Sequence, residues 1–210
     1  METTTQLENL RTAGTALLTT TILFMIGAFS AAYFRKMPLP QTPLEQLTAI
    51  AGDRIGWTAQ AIIFPVAFLA TVLVFGYIAA QLPGPWPRWL AIGATFLCAA
   101  GFLLWLPISA HRLELGANAA ELIRTFDPNA PVEVGRNTRV FWPHTLCILA
   151  AIALMGAALA LAGVLPTLGW IVAALAVAGA AAGALLIHDW PPFMSYVILL
   201  VMAIGLMRSG

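Results

Sequence analysis

The residues in this chain best equipped for chemistry are its three histidines, His111, His144 and His188. A neutral imidazole is a common ligand for zinc, iron or copper, and a pair of them can hold a haem. Two carboxylates, Asp53 and Asp189, fall near the same ends of the apolar runs as the histidines. A site built from these groups would be a metal or haem centre at a membrane surface. The spacing itself does not spell one out. There is no His-x-x-x-His, no Glu-x-x-His and no close cysteine pair. Cys98 and Cys147 belong to different apolar runs, at depths that differ by about 10 Å, too far apart for a disulfide and suited to packing instead. No Gly-x-Ser-x-Gly and no phosphate-binding glycine loop occurs.

The elements that must position these residues are membrane helices. Of the 210 residues, 60% are hydrophobic and 9% charged, with a mean hydropathy of +0.88. Soluble domains carry roughly a quarter charged residues. The apolar residues come in runs of about 20, enough to cross roughly 30 Å of hydrocarbon as a helix. Short alternating segments of the kind that build a membrane β-barrel are missing. The expected fold is therefore all-α, a polytopic six-helix membrane bundle in a single domain, 1–210. The spans read as 13–34, 55–80, 89–108, 145–164, 168–187 and 191–207. Net charge is +1 without a polybasic block, which argues against nucleic acid as a partner.

Between the third and fourth spans lies the one long polar stretch, 109–143, holding four of the ten basic and four of the nine acidic residues. Within it, 112–126 reads as an amphipathic helix lying on the membrane, with Leu113, Ala117, Ala120, Ile123 and Phe126 on its apolar face. Asp127, Pro128, Asn129 and Pro131 stop it, and 132–140 reads as polar connector. A second short surface helix is expected over 42–51, with Leu44, Leu47 and Ile50 on one side. Pro83, Gly84, Pro85 and Pro87 make a tight turn between spans two and three. Spans four and five are rich in alanine and glycine. Gly179 and Gly183 form a GxxxG pattern that would let these two helices approach closely.

In a six-span chain all three histidines share a face. That face also carries seven Lys/Arg, against three on the face with the termini, which the positive-inside rule would turn toward the cytoplasm. No Asp, Glu, Lys or Arg lies in the middle of a span, which disfavours a transport path or proton relay. Thr19, Thr20, Thr21, Gln60, Thr71 and Thr95 are the polar residues at depth. Such groups bond a neighbouring helix or their own backbone.

The first third of the chain, with its surface segment between spans one and two ending near Asp53, resembles small six-span bacterial integral membrane proteins of unassigned activity. The resemblance implies a bacterial cytoplasmic membrane and no particular reaction. Three functions then compete. One is a non-catalytic accessory or scaffold subunit whose partners are the lipid bilayer and other membrane subunits or a second copy. Another is a membrane-embedded metal- or haem-binding redox protein or enzyme using His111, His144 and His188, and the third is a small transporter.

Overall fold

Hydrocarbon offers no partners for backbone N–H and C=O groups, so a run of apolar residues satisfies them within itself as a helix. In the computed structural model, which describes residues 2–35, 39–127 and 138–209, the ordered elements are all helical. They are α1 (Glu2–Ser30), α2 (Pro43–Gly52), α3 (Arg54–Gln81), α4 (Pro85–Arg124), α5 (Thr138–Leu161), α6 (Leu168–Ala182) and α7 (Pro192–Arg208). A 3₁₀ turn, Ala32–Arg35, follows α1, and a π turn, Gly183–Ile187, extends α6. Among the described residues five helices are long and apolar enough to cross a membrane: α1, α3, α4, α5, and α6 with its extension. At 17 residues α7 is apolar but shorter.

The long helices pack as an antiparallel ring in chain order, with α7 closing back onto α1. Polar ties at the helix ends set the alternation. At one end Gln6 and Asn9 of α1 donate to the carbonyl and side chain of Gln81, and Arg11 donates to the Ser209 carbonyl, so both termini lie together. At the other end the Ser30 hydroxyl reaches the carbonyl of Gly56. The turn between α3 and α4 is made possible by Gly84, whose φ of 76° lies in the left-handed region open to glycine. The threonines at depth behave as expected. Thr19, Thr20, Thr21, Thr71 and Thr95 each donate to the carbonyl four residues back, which hides the hydroxyl from lipid.

Three expectations are corrected by the structure. First, 112–126 is not a separate helix laid on the membrane. Residues through Arg124 continue span three without a break, making α4 a 40-residue helix of about 60 Å, roughly twice the hydrocarbon thickness. Continuity also fixes its rotation. The buried stripe of the span (Ala94, Cys98, Gly101, Trp105, Ile108) runs on into Leu115, Gly116 and Ala119, while Leu113, Ala117 and Ala120 face outward. The extension joins Leu47 and Ile50 of α2, Ala31 and Trp57 in a second small core at the end of the bundle. The stop at Pro128, Asn129 and Pro131 lies outside the described residues, as do Val132 to Asn137 of the expected connector.

Second, α5 begins by Thr138, with Pro143 inside it, so the fourth span starts seven residues before 145. Pro143 is the sixth residue of α5, past its first turn, so it gives up one internal N–H bond, to Arg139, without ending the helix. Third, α5 and α6 do pack closely, but not through Gly179 and Gly183. A methyl at Gly179 would strike the Trp190 ring, and one at Gly183 would meet Trp190 and the Asp189 carbonyl. The close contact between the helices is Gly156 against Gly169.

Candidate functional site

The centre of the ring is a column of aromatic side chains. Phe24 of α1 stacks on Phe64 of α3 at 4.4 Å and on Tyr196 of α7 at 3.8 Å between ring centres. Phe68 lies beside Phe24, Tyr196, Trp105 and His144. Every long helix except α6 supplies a ring. The Tyr196 hydroxyl meets Thr71 Oγ1 at 3.1 Å, so this buried phenol has a partner.

Toward the α4 extension the column becomes polar. Arg112 lies beyond the 89–108 span in sequence, yet its side chain folds inward. Its guanidinium donates to Gln60 Oε1 at 2.6 Å and sits within 6 Å of the ring centres of Trp57, Phe64 and Trp105, at 5.2, 5.9 and 5.7 Å. A cation caged by aromatic faces gains from their negative quadrupoles. Gln60 is 1% exposed and uses its amide to reach the Gly27 and Ala28 carbonyls of α1, so one residue links α1, α3 and α4. Trp57 Nε1 donates to the Arg112 carbonyl at 2.7 Å. The sequence contains no charge at the middle of a span. It does not reveal that a long side chain from beyond the span turns in.

Beside this cluster Asp53 acts as a node. Its carboxylate accepts from the backbone N–H groups of Ala32 and Gly56 and pairs with Arg35 at 3.7 Å. It caps α3 and secures the chain leaving α1. The Arg35 pair is half in solvent and adds little beside the two backbone bonds.

The three histidines occupy unlike settings. His144 is 2% exposed on α5, packed against Phe68 and Trp105 at 4.7 and 4.6 Å. Its Nδ1 lies 2.7 Å from the Gly101 carbonyl. A carbonyl has no proton to give, so Nδ1 carries the hydrogen, and in the neutral ring Nε2 is left as an acceptor. Gly101 lies seven residues, about 10 Å, inside the end of the 89–108 span. His144 is thus deeper than the surface position expected of it, because α5 starts early. His111 is half-buried, ten residues further along α4 than Gly101, about 15 Å along the axis. His188 is exposed and ends the π turn with φ 53° and ψ 23°, a left-handed conformation in which histidine is enriched. Among the described residues no group of three or more His, Cys, Asp and Glu comes together that could hold a metal ion. Cys98 and Cys147 are both free thiols.

Among the described residues, two buried side-chain polar atoms have no hydrogen-bond partner, Trp105 Nε1 and Ser109 Oγ. They lie one turn apart on the stripe of α4 that leads to Arg112. Nothing in their sequence context marks them out. Only the burial of that stripe makes their unmet hydrogen bonds significant.

Searches with this chain against family models, curated proteins and solved structures find no match.

Proposed function

We propose that the chain is a six-span integral protein of a bacterial cytoplasmic membrane, working as a non-catalytic accessory subunit that docks onto another membrane protein along α6. Counting α7 as the sixth span rests on its antiparallel packing with α1, from Gly14 beside Leu206 to Phe24 stacked on Tyr196. Its 17 residues reach about 25 Å, short but within what a locally thinned bilayer accepts.

The observation that carries the subunit reading is the exposure of α6, which packs on α5 by one narrow face. It sends no ring into the central column. Only 22% of its most apolar stretch is buried, against 61% for α5. Trp170, Ile171, Leu175 and Val177 form a continuous outward apolar face. Lipid covers such a face readily, and so does a partner helix, without burying any charge. The interior polar groups meanwhile tie helices together: Arg112 to Gln60, Gln60 to α1, His144 to Gly101 and Tyr196 to Thr71. These bonds suit a rigid scaffold.

Photo-reactive residues at Leu175 and Val177, compared with Ile62 and Leu73 on the outside of α3, test the reading in native membranes. Protein adducts from α6 alone are expected, with a complex larger than one chain by native mass measurement. Lipid adducts at all four positions, with a lone chain, refute it. A stoichiometric metal or haem that is lost on substituting His111, His144 or His188 puts the redox reading in its place.

A further inference from the structure

We propose that Trp105, Ser109 and Arg112 form a binding site for an anionic oxygen, the carboxylate or phosphate of an amphipathic molecule. This proposal is independent of the docking face on α6. Trp105 is 2% and Ser109 6% exposed, and neither Nε1 nor Oγ has a partner. Buried polar groups are nearly always satisfied, so two such atoms one helical turn apart point to a ligand that supplies the missing partner. The chemistry of that ligand follows from what surrounds it. An indole N–H only donates, and a hydroxyl can do so. The next residue of the stripe brings a permanent positive charge, with the Arg112 guanidinium 5.7 Å from the Trp105 ring centre. The nearby acceptors already have donors. Gln60 Oε1 takes an N–H of Arg112, the Gly101 carbonyl takes His144, and the Asp53 carboxylate takes Ala32 and Gly56. Donors beside a cation call for an acceptor carrying negative charge.

The depth suggests what kind of molecule brings it. Trp89 stands near the start of α4, and Ser109 is 20 residues further, about 30 Å, at the far edge of the hydrocarbon layer. An acidic head at this level with an apolar body in the bundle or bilayer matches a fatty carboxylate or an acidic phospholipid. Both share the anionic oxygen, and inorganic phosphate shares it without the apolar body.

The test titrates the purified full chain in zwitterionic detergent with palmitate, phosphatidic acid, phosphatidylcholine and inorganic phosphate. Tryptophan fluorescence and native mass spectrometry follow binding. Saturable binding of palmitate or phosphatidic acid is expected, whichever is tighter naming the source. Phosphatidylcholine should bind at least tenfold more weakly. Ser109→Ala, which removes one oxygen from a site without other bonds to it, should weaken acidic-ligand binding about tenfold while leaving the melting temperature of the ligand-free protein unchanged. Trp105→Phe should do the same and abolish the fluorescence response. Phosphate binding as tightly as the amphiphiles would overturn the amphipathic assignment. Equal affinity of wild type and Ser109→Ala, equal binding of phosphatidylcholine, or no binding of any acidic probe would overturn the site. The last result would leave a bridging water as the occupant.

Discussion

Placing an alanine at Gly169 is the sharpest test of how the bundle is held together. An added Cβ there would lie 2.5 Å from the Gly156 carbonyl oxygen and 2.8 Å from the Ala160 backbone nitrogen. Ordinary contact begins near 3.4 Å, so the oxygen must retreat by about 0.9 Å (3.4 less 2.5). Both obstructing atoms are backbone and cannot swing aside as a side chain would. The axes of α5 and α6 must separate. The contact is reciprocal, since a Cβ at Gly156 would lie 2.6 Å from the Gly169 oxygen. That geometry is the one in which each carbonyl meets the other glycine's Cα–H. Overpacking costs about 1–3 kcal/mol, and losing two Cα–H···O contacts adds about 1–2 kcal/mol. The sum is roughly 2–5 kcal/mol, which at about 2–4 °C per kcal/mol lowers the melting temperature by at least about 4 °C. Thermal unfolding in mild detergent should show this for Gly169→Ala and Gly156→Ala alike. The control is Gly183→Ala, whose nearest atom stands 3.2 Å away and needs to give only a few tenths of an ångström. If Gly169→Ala melts with the wild type, or no lower than Gly183→Ala, the close α5–α6 contact is refuted.

Three further outcomes follow from single residues. Asp53→Ala should destabilise the protein by about 1–2 kcal/mol, because it removes an N-cap from α3 and a bond to Ala32 together; unfolding in detergent measures it, and an unchanged midpoint counts against the node. Arg112→Met leaves Gln60 Oε1 buried without its donor and should cost about 1–3 kcal/mol, whereas the double variant with Gln60→Leu should recover part of that loss. The capping box of α2 should be pH-sensitive. Backbone N–H groups of Gln41 and then Thr42 hold the Glu45 carboxylate below its ordinary value of 4.5. A depressed folded-state value means that the stabilisation is complete above pH 4.5 and disappears as the pH falls through the lower folded value. The protection of amides at the start of α2, measured relative to their intrinsic exchange at each pH, should fall across that acidic window, and Glu45→Gln should flatten the response.

How much of this was legible beforehand differs from residue to residue. The three histidines were legible as candidates, but nothing in the sequence tells that their settings differ, from the buried His144 to the exposed His188. The depth of His144 was hidden because Pro143 and the polar residues before it looked like a loop, whereas α5 runs through Pro143 at the loss of one backbone bond. Gly179 and Gly183 were conspicuous as a pattern, yet the space they leave is taken by Trp190 a few residues later in the chain. Gly156 and Gly169 share no pattern because they lie on two different helices.

The sequence by itself determined that the chain is helical, that most of its helices can cross a membrane, and where the tight turns fall. These are properties of single segments. Each run must satisfy its own backbone in hydrocarbon, and composition and length are enough to read that. Tertiary structure alone decided which face of each helix looks inward. A helix that is apolar all round carries no polar stripe to fix its rotation, so its phase is set by how side chains interlock with neighbours. That phase carries on along α4, buries Leu115, Gly116 and Ala119 where Leu113, Ala117 and Ala120 were expected while Ile123 and Phe126 still pack inward, turns Arg112 toward Gln60, and leaves Trp105 Nε1 and Ser109 Oγ without a partner among the described residues.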